Sequence, residues 1–361
     1  MVNRLRMGLI RAVPPFLRKD VYNALCSLTN YKLTPRPRHL HFELTYRCSC
    51  RCVFCSRWQI GPENAHNELT TEEIKEAISD AINLGVIGIS FSGGEPFIRE
   101  DFLEIAEFCK DKGLRVHVNS NGTCIDKTNA EYVNKIFDSV LLSVDSMDET
   151  IHDTFRGVKG TFKKAIKALE LIDRKKTVVQ LVINSKNIDQ LYDYVKFMAT
   201  KTDKIRLQPI HSNPDNLLNL RDLYIDDFKN SVTLESKWNN FIKKLKESGL
   251  KLHGSEKFYS LFPAFLTDPL LLKGKIDCFM GSFGFFIEPY GNVVPCEGIR
   301  KPYGNIKEEK LANIWKTANA FRRNYHNKKR PCVCMYGCLD NDINFWDKFF
   351  SIKPIYEFYP K

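Results

Sequence analysis

The stretch FELTYRCSCRCVFC, residues 42–55, ends a strand and opens a cysteine loop. Residues 39–45, HLHFELT, alternate as a strand and deliver the chain to Tyr46. Cys48, Cys52 and Cys55 follow in the spacing CxxxCxxC. Three thiols within eight residues can wrap one face of a cubane cluster and leave one iron without a protein ligand, a vacancy that invites a small-molecule chelate. Zinc also takes closely spaced thiolates. It needs a fourth ligand, however, and the nearest later one, His66, lies in a separate segment. Cys50 sits inside the run as either a bystander or a ligand that shifts the register.

Beyond this loop, residues 59–69 read as an exposed stretch, and then the periodicity changes. Thr70 and Glu73 have the spacing of a capping box; Ile74, Ala77, Ile78, Ala81 and Ile82 share one helical face before Gly85. Strand VIGISF follows at 86–91. The alternation repeats with helices over 100–111, 129–137, 161–173 and 189–199 and strands at 114–118, 139–144, 177–183 and 204–210. Six strands separated by helices predict an α/β fold with a parallel sheet and crossover helices. Six units fall short of a closed eight-stranded barrel, so the expected architecture is a partial (β/α)6 TIM-like barrel. Residues 211–277 read as a helical linker and packing segment. Trp238, Phe241, Ile242 and Leu245 share one face of it, and YSLFPAFLTDPLLL at 259–272 reads as a buried lid or interdomain piece.

Strand 86–91 runs into Ser92-Gly93-Gly94-Glu95-Pro96 at the C-terminal sheet edge, where parallel α/β folds place ligands. The glycines allow close backbone approach, and Glu95 offers an acceptor to an ammonium group. A tight turn before a helix is the plainer reading. Later strand ends carry VNSNGT at 118–123 and LLSVDSMDETIHDTFRG at 141–157. Their plainer readings are a turn at Asn121-Gly122 and a solvated helix start at His152, Asp153 and Arg156. Taken together, FELTYRCSCRCVFC and FSGGEP resemble the radical S-adenosylmethionine (SAM) superfamily over about residues 40–210.

The resemblance implies that Cys48, Cys52 and Cys55 hold a [4Fe-4S] cluster whose open iron is chelated by the amino and carboxylate groups of SAM. It further implies that Gly93, Gly94 and Glu95 meet the SAM amino group, and that Asn119, Ser143, Asp145 and Arg156 contribute to the SAM site. An arginine fork suits the SAM carboxylate. The implied reaction is reductive cleavage of SAM to a 5'-deoxyadenosyl radical that abstracts substrate hydrogen, fed by a low-potential donor such as flavodoxin or ferredoxin. No catalytic residue is assigned beyond the cluster and SAM.

A second cysteine set begins at Cys278, which precedes Gly291 and Cys296 in the spacing Cx12GxxxxC. FGFFIEPYGNVVPC between them reads as a hairpin with its turn at Tyr290-Gly291-Asn292, which lets both thiols face one site. YGNI and LANIW then lead to Cys332, Cys334 and Cys338. This arrangement resembles the SPASM/twitch-like auxiliary-cluster extension of the same superfamily. It implies one auxiliary [4Fe-4S] cluster on Cys278, Cys296 and two of the last three cysteines. A second cluster with incomplete ligation and a zinc ribbon remain as alternatives. Cys26, Cys109 and Cys124 need no metal role, and Cys109 shares a helix face with Phe102, Ile105 and Ala106.

Composition bounds the rest. The chain has 361 residues, 43% hydrophobic and 27% charged, which is globular composition, and no apolar run approaches the length of a membrane span. Of its +11 net charge, +7 falls in the first 40 residues, which argues against a nucleic-acid surface spread over the whole protein. No secretory signal opens the chain, so a reducing cytoplasm is expected, with contact to the inner face of an anionic membrane open to the basic N-terminus. The expected organisation is a basic cap over 1–39, a radical SAM core over 40–210, the linker over 211–277, the auxiliary-cluster module over 278–340 and an aromatic arm over 341–361. Enzymes resembling this arrangement often modify ribosomally made peptides or protein side chains. A lipid, a lipid-linked group or a small cofactor precursor is the alternative substrate. A non-enzymatic iron-sulfur or zinc nucleic-acid-binding protein is the alternative of another class.

Overall fold

The computed structural model describes residues 18–211, 231–272, 278–279, 281–326 and 334–337. Helix α1 (Arg18–Leu28) precedes the sheet. Strands β1 (His39–Thr45), β2 (Gly88–Gly93), β3 (Arg115–Ser120), β4 (Ser139–Ser143), β5 (Thr177–Ile183) and β6 (Lys204–Pro209) lie side by side in chain order, all parallel. This is the expected partial barrel. Its connections carry α2 (Arg57–Asn64), α3 (Thr71–Leu84), α4 (Phe102–Asp111), α5 (Ala130–Ile136), α6 (Glu149–Arg156), α7 (Thr161–Leu171) and α8 (Leu191–Ala199).

Helix α3 shows how local signals build the layer. Thr70 and Glu73 exchange the two hydrogen bonds of a capping box, and Ile74, Ala77, Ile78 and Ala81 are buried at helical spacing against the sheet. Each fully buried isoleucine contributes about 1.5–3 kcal/mol. The stretch over 59–69 is mostly exposed or half-buried, as expected, and forms the greater part of helix α2 and a 3-10 turn at Ala65–Asn67. The Gly61-Pro62 pair, a turn signal in sequence, lies inside α2. Gly61 is there for close approach: a Cβ would collide with the Tyr46 carbonyl, so α2 lies directly on the backbone that leads into the cysteine loop.

The C-terminal hairpin forms as expected, β7 (Gly284–Ile287) with β8 (Asn292–Val294), and β9 (Gly304–Asn305) extends it. The sequence did not indicate where it docks. β7 pairs in parallel with the outer edge of β1, His39 opposite Gly284 and Phe42 opposite Ile287, so one nine-stranded sheet runs through barrel and hairpin. An open edge on the first strand is thereby covered.

Helix α9 (Ser231–Ser248) buries Trp238, Phe241 and Leu245. The lid expected at 259–272 is only partly buried: α10 (Glu256–Tyr259) and α11 (Phe262–Thr267) turn Phe258, Tyr259, Phe262 and Phe265 inward, whereas Leu270 and Leu271 are exposed. Helices α12 (Leu311–Thr317) and α13 (Asn319–His326) complete the described C-terminal module. The N-terminal residues meet that module. Ser282 Oγ donates to the Tyr31 hydroxyl at 3.1 Å, and Trp315 Nε1 donates to the Pro35 carbonyl at 2.7 Å. Residues 1–17, which hold part of the basic cap, and the aromatic arm at 341–361 lie outside the described residues.

Candidate active site

The cysteine loop is clamped from two sides by backbone. Arg51 N and Val53 N donate to the Arg156 and Phe155 carbonyls at the end of α6, at 2.8 and 3.0 Å. Gly94 N and Glu95 N donate to the Thr45 and Arg47 carbonyls, at 2.6 and 2.9 Å. A Cβ on Gly94 would strike the Arg47 carbonyl, so this glycine packs the turn after β2 onto the approach to Cys48. Cys48, Cys50, Cys52 and Cys55 thereby line one cavity of about 280 Å³ at the C-terminal ends of the strands. Hydrogen bonds from the buried Cys50 thiol hold Cys48 below its ordinary value and Cys52 at about 7, whereas burial pushes Cys55 up to about 12. His66 is exposed and does not line the cavity. Four cysteines lining one cavity offer the soft sulfur donors that iron-sulfur ligation uses.

The residues singled out by sequence divide into two groups. Gly93, Gly94, Asn119, Ser143 and Arg156 line the cavity. Glu95 and Asp145 do not. Glu95 is fully buried; its carboxylate accepts from Ser120 Oγ at 2.9 Å, Asn121 N at 2.8 Å and Phe97 N at 3.4 Å. Burial pushes it up to about 7. These bonds use the carboxylate inside the scaffold, where the sequence reading had it meeting an ammonium group. Asp145, also fully buried, accepts from Val182 N at 3.0 Å and pairs with Arg156 Nη2 at 2.7 Å. Its place is behind Arg156. Arg156 Nη1 lies 3.6 Å from Cys52 Sγ.

The solvated helix start considered for His152 and Arg156 does not occur. Both are buried on the inner face of α6, and His152 Nδ1 accepts from Asp145 N at 3.1 Å.

Several lining residues were not anticipated. Gln180 on β5 and Gln208 on β6 face the cavity, and like Ser92, Asn119 and Ser143 they make no side-chain hydrogen bond among the described residues. For Gln180 the available signal was a polar residue at the parity of Val178 and Val182 in an otherwise apolar strand, whereas Gln208 shares its parity with Lys204 and Arg206 and carries no such mark. His211 and Tyr336 close the wall. Met335 N donates to His211 Nε2 at 2.8 Å, and the two rings stack at 4.0 Å and 5°. Burial pushes His211 down to about 3.

A buried charge network joins barrel and module beside this cavity. Arg300 binds Glu43 with two bonds of 2.7 and 2.8 Å and also meets Glu288 at 3.1 Å and Glu297 at 3.0 Å. Arg57, two residues beyond Cys55, pairs with Glu297 at 2.8 Å and Glu43 at 3.5 Å. Tyr46 donates its hydroxyl to Glu43 at 2.8 Å.

Cys278 and Cys296 are half-buried, and both neighbour Tyr303, whose hydroxyl is raised chiefly by burial and further by these two thiols. Cys334 stands next to the Met335–Tyr336 segment against His211. Cys332 and Cys338 lie outside the described residues. Among the described residues no three His, Cys, Asp or Glu side chains gather in metal-binding geometry. Arg322, however, a buried guanidinium with an unbonded Nη2, donates to the carbonyl of Gly281, three residues beyond Cys278, and such a cation suits an anionic centre.

The model of the Radical SAM superfamily matches residues 42–198, and that of the SPASM iron-sulfur cluster-binding domain matches 278–339. The chain is 27% identical to the AdoMet-dependent heme synthase of Methanosarcina barkeri over 335 residues, 84% of this chain and 90% of that protein. It is 26% identical to the antilisterial bacteriocin subtilosin biosynthesis protein AlbA of Bacillus subtilis over 312 residues, 82% of this chain and 65% of that protein. In fold it is similar to Streptococcus suis SuiB bound to precursor peptide SuiA, with a TM-score of 0.64 at 17% identity, covering 94% of this chain and 78% of that one. The matched domains imply SAM binding and iron-sulfur clusters. With a cysteine loop at the mouth of a six-unit partial barrel and a C-terminal module sharing its sheet, the chain belongs to the radical SAM superfamily and is an enzyme carrying a SPASM domain.

Proposed function

We propose that this enzyme modifies a peptide or protein side chain. The observation that carries this reading is how the cavity spends its charge. Among the described lining residues, Arg57, Arg156 and Glu297 are the ionic side chains other than the thiols, and each is held in an ion pair. The unspent groups are neutral. Val182 pairs with Gln208 across β5 and β6, so Gln180 and Gln208 are offset by two residues on adjacent strands, about 8 Å apart from strand rise and spacing. Two carboxamides at that separation match amide groups on alternate residues of an extended chain, about 6.6 Å apart. A polycarboxylate substrate would instead call for uncommitted cations.

In this reading Cys48, Cys52 and Cys55 hold the [4Fe-4S] cluster, and Cys278 and Cys296 hold the auxiliary cluster with two of Cys332, Cys334 and Cys338. Bound cluster and SAM supply a radical able to take a hydrogen atom from a substrate C–H bond. Gly93 and Gly94 bring backbone to the SAM site; Asn119, Ser143 and Arg156 orient SAM, with Asp145 fixing the arginine. The Tyr336–His211 stack walls the cavity from water. Flavodoxin or ferredoxin is the class of donor, and the cytoplasm the compartment; among the described residues no helix is long and apolar enough to cross a membrane. The names of AlbA and of SuiB with its precursor peptide support a peptide substrate.

A cofactor precursor of the tetrapyrrole class is the second reading, favoured by the similarity to a heme synthase over 90% of that protein. A non-enzymatic nucleic-acid binder leaves the matched catalytic domain unexplained. The test is anaerobic reconstitution with iron, sulfide and SAM-cleavage analysis, followed by binding of a displayed peptide library and of a tetracarboxylate porphyrin. Enrichment of neutral peptides that is lost in Gln180→Leu and Gln208→Leu supports the proposal. Tight porphyrin binding without peptide enrichment overturns it.

A further inference from the structure

Arg322 on α13 is fully buried in the C-terminal module. Its Nε donates to the Gly281 carbonyl at 2.6 Å, and Nη1 donates to the Trp315 carbonyl at 2.8 Å and to Asn319 Oδ1 at 2.6 Å. The guanidinium stacks on the Trp315 ring at 3.8 Å, and Nη2 is buried without a hydrogen bond. Each of these partners is neutral, and among the described residues no carboxylate pairs with it. Its ionisable neighbours Tyr303, Tyr31 and Cys26 are two phenols and a thiol rather than carboxylates. A buried cation held this way is costly unless an anion completes the site.

The surroundings indicate which anion. Gly281 lies three residues beyond Cys278, and its missing Cβ points at Pro295, the residue before Cys296, and at the Tyr303 hydroxyl. Arg322 Cζ lies 5.5 Å from the Tyr303 ring, and the Tyr303 hydroxyl donates to the same Gly281 carbonyl at 3.5 Å. Arg322 therefore backs the two loops that carry these cysteines. Four thiolates around a [4Fe-4S]2+ core carry a net charge of about −2.

We propose that Arg322 is the counter-charge of the auxiliary cluster, a positioning residue that favours its reduced form and its incorporation. The inference rests on the reading that the SPASM module holds such a cluster. Reduction adds negative charge to the centre, so a fixed nearby cation raises its potential and removal of the cation lowers it.

The test uses the full chain, reconstituted anaerobically as wild type, Arg322→Met, Arg322→Gln and Arg322→Lys, with iron analysis and EPR-monitored redox titration. Wild type should hold about eight irons. In Arg322→Met and Arg322→Gln the auxiliary potential should move to more negative values, the first cluster's potential should stay unchanged, and Arg322→Lys should restore most of the shift. Loss of about four irons from Arg322→Met with their return in Arg322→Lys supports the same assignment. An unmoved auxiliary potential with about eight irons overturns it, as does equal iron loss in the Met and Lys variants, which marks a purely structural arginine. About four irons in wild type would remove the auxiliary cluster itself and separate that failure from one of Arg322.

Discussion

Replacing Arg300 by methionine removes the cation on which three carboxylates converge. Arg300 is bidentate on Glu43 and reaches Glu288 and Glu297; Glu43 is 2% exposed, and Arg57 is the second guanidinium in the group. Wild type sets three carboxylates against two cations. Arg300→Met leaves the three against one, in a site where Arg300's own side chain is 13% exposed. Breaking a buried pair of this kind costs about 3–5 kcal/mol. For 361 residues the unfolding entropy is roughly 0.76 kcal/mol/K, so the apoprotein midpoint should fall by about 4–7 °C.

Protonation limits the loss. Glu297 is already pushed up to about 7 by burial, so it binds a proton more readily folded than unfolded. A carboxyl raised in the folded state stabilises below its unfolded pKa of about 4.5 and loses that contribution as pH rises through the folded value. The variant should therefore be penalised less at pH 6 than at pH 8. Differential scanning calorimetry of the anaerobic apoprotein at both pH values, in a double-mutant cycle with Glu43→Gln, reads the effect. A midpoint drop under about 1.5 °C without coupling between the two positions would refute the buried network.

Glu95→Gln should change SAM affinity by less than about threefold, since its carboxylate is used inside the scaffold; a loss near a hundredfold in equilibrium binding would restore it as a SAM contact. Asp145→Asn releases Arg156 and should weaken SAM binding by about tenfold, with unchanged affinity arguing that Arg156 needs no second anchor. Gly94→Ala should cost about 1–3 kcal/mol and reduce iron incorporation, because its methyl meets the Arg47 carbonyl; full iron content and an unaltered unfolding curve would refute the close approach. Burial pushes His41 down to about 4 and His117 and His211 to about 3, so these groups stabilise above the unfolded value near 6.5 and lose that contribution as pH falls toward the folded values. Apoprotein stability should decline below pH 6.5 by up to about 1.4 kcal/mol per pH unit for each histidine, and a flat urea-unfolding profile from pH 7.5 to 5.5 would contradict this.

Six strands and most of their helices were legible because their signals are local: apolar alternation, the Thr70 and Glu73 box, and a hairpin turn at Gly291. The CxxxCxxC loop and the SGGEP turn were legible as well, since both lie within a few residues. Helix α2 was missed because Gly61 and Pro62 weigh toward a turn until the Tyr46 backbone packs against Gly61. The orientation of a strand-end carboxylate has no local marker. Glu95 and Asp145 were expected at the ligand, yet amides and an arginine from neighbouring units use them first.

The sequence by itself thus determined the order of the units, the cysteine spacings and the family they resemble, because periodicity and short motifs are written within one segment of chain. Tertiary structure alone decided that β7 joins β1, that Tyr336 stacks on His211, and that Arg300 neutralises Glu43 across a separation of 257 residues. Burial also distinguished the side chains spent on scaffold from those left open toward the cavity. The cost of an unmet charge or hydrogen bond depends on neighbours that only the folded chain brings together.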